Sequence, residues 1–131
     1  ALPDGGSGEL RVAALARVEV AGLLLSVGAT HLSFRPGEGP PQLRLLASRL
    51  AEMPLPRLLL GDLNLEFDLV EPLVREAGFE LALVPPAFPA KRPRRRIDHV
   101  AFAGFEVVAV EAPEVAVSDH RPVVVSLRPV A

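Results

Sequence analysis

The chain has 131 residues and a mass of 14.0 kDa, which accommodates one domain but not two of ordinary size. Leu, Val, Ile and Phe make up 46 residues, about a third of the chain, so the composition is that of a folded protein and excludes the disordered class. The absence of cysteine excludes a disulfide framework, a thiolate zinc site and a cysteine nucleophile. The longest uncharged stretch, residues 20–30, is too short for a membrane-spanning helix.

The net charge is −2, but the charges are distributed unevenly along the chain. Residues 91–96 hold five cations in six positions, so the rest of the chain is acidic. The sequence therefore predicts a local basic patch on an acidic body, a pattern that favours contact with anions at one place only. One lysine against thirteen arginines is typical of a GC-rich bacterial genome.

The first half of the chain predicts a β-hairpin, a helix and a buried strand. Residues 9–20 and 23–32 are two apolar runs separated by Ala21-Gly22, which predicts two strands joined by a tight turn. After a loop, Pro40 begins a helix in which apolar residues recur at helical spacing as far as Met53. The sequence RLLLGDLN then predicts a short, buried strand with polar groups at its carboxyl end.

The second half predicts a short helix followed by strands. Asp68 is expected to cap a helix that ends near Ala77, and FELALV, residues 79–84, returns as a strand. A Pro-rich basic loop spans residues 85–95, and RIDHVAF, FEVVAVEA and PVVVSLR predict three more strands. We therefore predict a single domain over residues 1–131, with residues 1–8 as loop, and an α/β (α+β) layered sandwich with a mixed, mainly antiparallel sheet and two helices.

Chemically capable side chains are concentrated in four short segments at predicted strand ends. These segments are THLS at 30–33, GDLN at 61–64, RIDH at 96–99 and SDHRP at 118–122. Ligands of layered α/β folds usually bind at the rim where strands end, so the four segments are expected to converge. Carboxylates, imidazoles and a carboxamide are the groups needed for metal-assisted attack on a phosphate ester, and oxygen ligands favour Mg²⁺ or Mn²⁺.

The four segments, in this order, resemble the endonuclease/exonuclease/phosphatase family, which includes pancreatic deoxyribonuclease and inositol-polyphosphate phosphatases. The resemblance runs from Glu9 to the carboxyl terminus. It implies the carboxyl-terminal half of a deoxyribonuclease-like four-layer fold and a metal-dependent phosphoester hydrolase, either a nuclease or other phosphodiesterase, or a phosphatase. Nucleic acid, nucleotide, phospholipid and inositol phosphate all remain open as substrates.

The resemblance also implies roles for individual residues. Asp62 would orient or deprotonate the attacking water, Asn64 would hold that water or a phosphate oxygen, and His31 would donate to a non-bridging phosphate oxygen. The alternative for Asp62 and Asn64 is a turn at the end of the strand, in which both side chains bond to backbone groups. The alternative for His31 is a histidine packed at a strand end.

The last two segments supply the remaining expected groups. The resemblance implies that Asp119 is a metal ligand and that His120 faces the phosphorus while paired with Asp98; the alternative for this pair is a structural ion pair. His99 directly follows Asp98, so in a strand its side chain points to the other face, and we interpret it as structural. Three arginines, Arg95, Arg96 and Arg121, are the candidates for binding substrate, with a solvated surface as the alternative.

The sequence departs from the family pattern because the amino-terminal half of the domain, with an asparagine and a metal-binding glutamate, has no counterpart. The resemblance therefore implies an incomplete metal site. Apolar runs such as LLLSV and VVVSL are unsuited to strands wetted on one side, which predicts that a homodimer replaces the missing layer. An inactive, self-associating binding module is the alternative function. The expected location is the cytoplasm, with secretion left open.

Overall fold

A computed structural model describes residue 2 and residues 10–115 and 117–130. It contains two helices and seven strands, in the order β1 (Ala13–Val20), β2 (Leu23–His31), α1 (Gly39–Leu50), β3 (Arg57–Asp62), α2 (Phe67–Glu76), β4 (Glu80–Leu81), β5 (Asp98–Ala103), β6 (Phe105–Glu111) and β7 (Val124–Pro129). None of the described helices is long and apolar enough to cross a membrane.

The predicted hairpin is confirmed. Strands β1 and β2 pair antiparallel with Val20 opposite Leu23, and the two connecting residues, Ala21 and Gly22, both have positive φ angles of 49° and 82°. Two consecutive positive φ angles are the signature of the turn whose twist matches a two-residue hairpin, and glycine adopts the second without steric cost.

The main sheet has the order β1-β2-β3-β5-β4, and all its described pairs are antiparallel except β2 with β3. Strands β2 and β3 therefore end at the same edge of the sheet, and β5 begins there. This confirms the predicted mixed, mainly antiparallel sheet and brings three chemistry-bearing strand ends together.

The two faces of the main sheet belong to different apolar clusters. Along β5, Ala101 packs in the cluster formed with the helices, whereas its neighbour Phe102 packs in the other cluster. Leu59 and Leu58 alternate in the same way on β3. Because successive strand residues point to opposite faces, α1 and α2 cover one face and the β6-β7 ribbon packs against the other.

The ribbon does not cover its face completely. Strands β6 and β7 pair only with each other, and Gly104, with a φ of 85°, turns the chain from the main sheet into this ribbon. Large apolar side chains of these strands remain exposed on both sides of the main sheet and on the ribbon: Leu15, Val18, Val20, Leu24, Val107, Val108 and Val124. The fold thus presents apolar strand residues to solvent, as expected from the apolar runs.

Several predicted boundaries were wrong. Helix α1 ends at Leu50 rather than Met53, since Pro54 disfavours helical geometry in the residue before it. The strand predicted over 79–84 is confined to Glu80–Leu81, because Leu83 faces solvent and the prolines at 85 and 86 have no N–H to donate to a ladder.

Another wrong boundary is the start of α2. Glu66, not Asp68, occupies the capping position, and Asp68 lies in the first turn. The Glu66 carboxylate makes no capping bond and accepts hydrogen bonds from Arg95 Nε and the Arg96 N–H instead. Strand β1 begins at Ala13, later than predicted, and the expected loop over residues 1–8 lies, apart from Leu2, outside the described residues.

Candidate active site

Strand register aligns three of the predicted site residues across the sheet. His31 is the register partner of Asp62 in the parallel pair β2-β3, and Asp62 is the partner of Asp98 in the antiparallel pair β3-β5. Register partners point to the same face, so the three side chains form a row with Asp62 in the middle. The distance from His31 Nε2 to Asp62 Oδ2 is 3.4 Å.

Gly61 allows the close approach of β3 to β2 beside this row. Its φ is 149°, and a Cβ atom at this position would lie 1.8 Å from the carbonyl oxygen of Thr30. No side chain fits in that space. A glycine immediately before Asp62 is therefore a steric requirement of the sheet edge that carries the site.

His120 reaches the row from the loop before β7. Its Nδ1 lies 2.6 Å from Asp98 Oδ2, and its Nε2 lies 3.6 Å from Asp62 Oδ2. Desolvation by burial alone would lower the pKa of His120, but the hydrogen bond and charge of Asp98, together with the charges of Asp62 and Asp119, raise this pKa above its ordinary value. The carboxylate fixes the tautomer and favours an imidazolium whose Nε2–H faces Asp62.

Two residues without a predicted role hold the His120 segment in place. The Ser118 hydroxyl donates to the carbonyl of His120 at 3.0 Å and accepts from the His120 N–H at 2.9 Å. The Phe88 ring packs against the imidazole with a centroid distance of 4.6 Å. Ser118 could have been found from its position two residues before His120, which is typical of a serine turn, whereas no local pattern indicates Phe88.

Asn64 ties the ends of β2 and β3 together. Its φ is 52°, its N–H donates to Asp62 Oδ1 at 3.0 Å, and its Nδ2 donates to the carbonyl of Leu32 at 2.9 Å. Both bonds are those of the strand-ending turn left open from the sequence. They also fix the Asp62 carboxylate so that Oδ2 is the oxygen facing the two histidines.

The donor atoms of Asp62, Asp98 and His120 lie within 4.8 Å of one another, close enough to hold a metal ion together. Two carboxylates suit Mg²⁺, which takes one or two of them together with water and substrate phosphate. The imidazole suits it less, and its Nδ1 is already bonded to Asp98. Asp119 is exposed and outside this group, and its backbone carbonyl accepts a hydrogen bond from the Ala90 N–H.

The three predicted substrate-binding arginines all make hydrogen bonds within the protein. Arg95 Nε lies 2.8 Å from a Glu66 carboxylate oxygen, and Arg96 Nε donates to the carbonyl of Val84 at 2.7 Å. Arg121 Nε donates to the carbonyl of Ala90 at 2.8 Å. Arg95 and Arg96 thus secure the ends of the basic loop, while Arg121 adjoins the cleft that contains Asp62 and Asp98.

His99 lies on the other side of β5 from Asp98. Its side chain is buried beside Phe67, and its Nε2 is 2.8 Å from the carbonyl of Leu65. Desolvation by burial lowers the pKa of His99, and the bond to Leu65 opposes this only in part. The residue is therefore held as a neutral core histidine, in keeping with its structural interpretation.

The arrangement can perform acid-base chemistry on an anion. Asp62 offers an acceptor oxygen between two imidazole nitrogens, and the pair of Asp98 with His120 supplies a positively charged donor beside it. A carboxylate that can accept a proton from water, next to fixed donors for negative charge, is the combination required for hydrolysis of a charged ester.

Comparison with known proteins places this geometry in context. No protein-family model matches the chain. Two curated UPF0294 proteins from strains of Vibrio vulnificus, VV2535 and VV1_1880, are 30% identical over 109 residues, which is 79% of this chain but only 38% of theirs. The chain therefore spans less than half the length of these relatives.

Solved structures share the fold at lower identity. A mannosyl-6-phosphatase of Bacteroides thetaiotaomicron superposes with a TM-score of 0.77 at 19% identity, over 90% of this chain and 57% of that one. An endonuclease/exonuclease/phosphatase protein of Bacteroides vulgatus gives 0.76 at 20% identity, over 91% and 56%. The human Nocturnin catalytic domain gives 0.69 at 18% identity, over 92% and 53%.

Proposed function

Because the chain has the fold of the endonuclease/exonuclease/phosphatase family and spans about half of the solved examples, we propose that it forms the part of a phosphoester hydrolase that activates water. The observation that carries this proposal is the convergence of Asp62, Asp98 and His120 at one edge of the sheet. The reaction is in-line attack of water on phosphorus, with the alcohol leaving on the opposite side.

Asp62 is proposed to position the attacking water and accept its proton. Its Oδ1 is held by the Asn64 N–H, so only Oδ2 faces the cleft. An oxygen fixed by the turn that ends β3 has a defined direction, which is the requirement for aligning a nucleophile.

His120 is proposed to stabilise negative charge on the phosphoryl group. Its hydrogen bond with Asp98 orients the ring and favours the protonated form, so Nε2 can donate to a phosphoryl oxygen. His31, exposed on the other side of Asp62, is proposed as a second donor to a non-bridging oxygen. Asn64 keeps its proposed role near the water, acting through its bonds to Asp62 and Leu32.

A divalent cation, Mg²⁺ or Mn²⁺, is part of the proposal. When bound, it neutralises charge on the phosphate and polarises the phosphoryl oxygens. The proposed ligand is the carboxylate of Asp119, on the resemblance of the SDHRP segment. Asp62 and Asp98 belong to the group of side chains that could hold a cation in the same cleft. Arg121 is proposed to contact the substrate from the border of the same cleft.

The alternative of a self-associating module without catalysis is not favoured, because side chains from four separate segments converge although binding alone does not require them. Self-association itself stays a prediction, since apolar strand residues remain exposed. The cytoplasmic location and the bacterial source are likewise predictions from the sequence.

The experiment that tests the proposal is hydrolysis of bis-p-nitrophenyl phosphate by the 131-residue chain in Mg²⁺. We expect Asp62→Asn to lower kcat by at least about 100-fold, the scale of a lost general base. Asp68→Asn is the matched control, because Asp68 is an exposed carboxylate on α2 and outside the site. Equal losses in both variants, or none in either, contradict the proposal.

A further inference from the structure

We propose that a cleft beside the active site, here called the Lys91 cleft, binds a second phosphate group of the substrate. The Lys91 cleft is lined by Ala90, Lys91, Glu114, Val115, Ser118 and Arg121. The inference rests on the proposed hydrolase function and deepens it. It assigns the substrate to the class of phosphate esters that carry another phosphate besides the reacting one.

The position of the Lys91 cleft relative to the reacting groups carries this inference. Arg121 borders two clefts, one lined by Asp62 and Asp98 and the other being the Lys91 cleft. The Lys91 cleft has a volume of about 260 Å³. Since a water molecule occupies about 30 Å³ of the liquid, this space accommodates a phosphate group together with several waters.

The two clefts differ in the charged side chains that line them, although Arg121 borders both. The reacting groups include the carboxylates of Asp62 and Asp98, which repel an approaching polyanion. The Lys91 cleft contains the cations of Lys91 and Arg121 against a single lining carboxylate, Glu114. An anion held there gains attraction from the cations and brings its neighbouring phosphate towards Asp62.

The two clefts also share one rigid frame. The Ala90 N–H donates to the Asp119 carbonyl at 2.8 Å, and the Arg121 N–H donates to the Ala87 carbonyl at 2.7 Å. These bonds fasten the basic loop to the segment that contains His120. A ligand in the Lys91 cleft therefore contacts residues whose backbone is bonded on both sides of the catalytic imidazole, which fixes the spacing of the two phosphates.

Two other cations of the basic loop, Arg95 and Arg96, are less suited to this role. Arg95 is paired with Glu66, and Arg96 donates to the Val84 carbonyl, so both contribute to loop structure. Lys91 is exposed. A point charge on a flexible stem suits capture of a phosphate group.

The test measures binding to the 131-residue chain by calorimetric titration without catalysis. The probes are thymidine 3′,5′-bisphosphate, thymidine 5′-monophosphate and inorganic phosphate. We expect the bisphosphate to bind more tightly than the monophosphate, and Lys91→Gln to weaken bisphosphate binding by about fivefold, the scale of one exposed charge contact. Monophosphate binding is expected to change less than twofold.

Two further variants are compared with Lys91→Gln, one expected to act in the opposite direction and one expected to have no effect. Glu114→Gln removes the opposing carboxylate and is expected to strengthen bisphosphate binding by up to about fivefold. Arg128→Gln removes an exposed cation paired with Glu106 on β7 and is the matched control, with no expected effect. Equal effects of Lys91→Gln and Arg128→Gln, or inorganic phosphate binding as tightly as the bisphosphate, overturn the inference.

A kinetic arm separates this inference from the proposed function. The p-nitrophenyl ester of thymidine 5′-phosphate is compared with the same ester carrying a 3′-phosphate. We expect the 3′-phosphate to lower KM in the unaltered chain and to lose that effect in Lys91→Gln, with kcat unchanged. Turnover of both esters with the same KM would contradict the second phosphate site but not the hydrolase function. Bisphosphate binding that depends on Lys91, without turnover of either ester, would contradict the hydrolase function but not the second phosphate site.

Discussion

Asp98 and His120 lie 22 positions apart in the sequence, and the bond between them determines how the imidazole titrates. We predict that Asp98→Asn lowers the pKa of His120, because the variant removes both the charge and the anionic acceptor that oppose desolvation. Nuclear magnetic resonance titration of the imidazole ring measures this directly. The unaltered protein should titrate above the ordinary value of 6.5, and the variant clearly below the unaltered protein.

Asp119→Asn is the matched control for this titration. Asp119 raises the pKa of His120 through its charge alone, and its contribution ranks below those of Asp98 and Asp62. Its removal should therefore shift the titration less than Asp98→Asn does. An unchanged His120 pKa in Asp98→Asn would mean that the pair does not exist in solution.

The two shifted histidines predict opposite pH dependences of stability. The folded-state pKa of His120 is raised, so its stabilisation is complete below about pH 6.5 and is lost as the pH rises through the folded value. The folded-state pKa of His99 is lowered, so the unfolded chain takes up a proton first and stability falls as the pH drops below about 6.5.

Urea unfolding at several pH values measures both effects. His120→Gln should remove the loss of stability above pH 6.5, and His99→Gln, which retains a donor for the Leu65 carbonyl, should reduce the loss below it. If the free energy of unfolding of each variant changes with pH in parallel with that of the unaltered protein, these histidines do not have shifted pKa values in the folded state.

At the scale of elements, the site depends on the pairing of β2, β3 and β5. One residue of slip in either pair would turn Asp62 away from its neighbours, because side chains alternate along a strand. Gly61 is the position where this pairing is most constrained, since the carbonyl of Thr30 occupies the space of a side chain.

We predict that Gly61→Ala destabilises the fold by at least about 2 kcal/mol, from the strained φ and the clash with β2 together. Chemical denaturation measures the loss. Gly22→Ala is the matched control, because Gly22 also has a positive φ but has open space around its Cα, and it should lose only about 1 kcal/mol. Equal losses in the two variants would contradict the close approach of β2 and β3.

The elements themselves could be predicted largely from local patterns. The Ala21-Gly22 turn, the apolar spacing of α1 and the apolar strand before Asp62 are all signals within a few residues. The capping of α2 could not be predicted, because the Glu66 carboxylate is bound by Arg95 and Arg96 about 30 positions away. The same holds for Phe88, whose contact with His120 depends on how the basic loop folds back.

The predicted site residues fall into two groups for a physical reason. His31, Asp62, Asp98 and His120 sit at strand ends or the adjoining loop, so the topology brings them together. Arg95 and Arg96 belong to a charge run, where composition indicates a basic surface but not which cations are paired within the protein. Arg95 bonds to Glu66 and Arg96 to Val84, and no local sequence pattern predicts either contact, because the partners are distant in the sequence.

At the scale of the whole molecule, the main feature is the set of apolar strand residues that are exposed to solvent. Val20 and Leu24, near the β1-β2 turn, are 55% and 48% exposed, and Val108 on β6 is 57% exposed. Exposed apolar side chains that are concentrated on strands are candidates for contact with another protein surface. In the solved neighbours, over two fifths of the chain lies outside the match and provides further polypeptide.

We predict that the 131-residue chain on its own self-associates through these strands. Light scattering should give a mass above 14.0 kDa that falls towards the monomer in a Val20→Lys/Val108→Lys double variant. Substitution of Val130, an exposed valine beyond the end of β7, by lysine serves as the control for added charge. A monodisperse monomer for the unaltered chain would rule out the predicted homodimer.

One assay measures whether the groups assembled around Asp62 hydrolyse phosphate esters. Release of p-nitrophenol from bis-p-nitrophenyl phosphate is followed in Mg²⁺ for the unaltered 131-residue chain and for His120→Ala, with excess chelator as the blank. We predict Mg²⁺-dependent turnover by the unaltered chain and a loss of at least about 100-fold in the variant. Equal turnover by the two proteins would exclude His120 from the reaction. No turnover by the unaltered chain would show that this part of the fold does not hydrolyse phosphate esters without the rest of the domain.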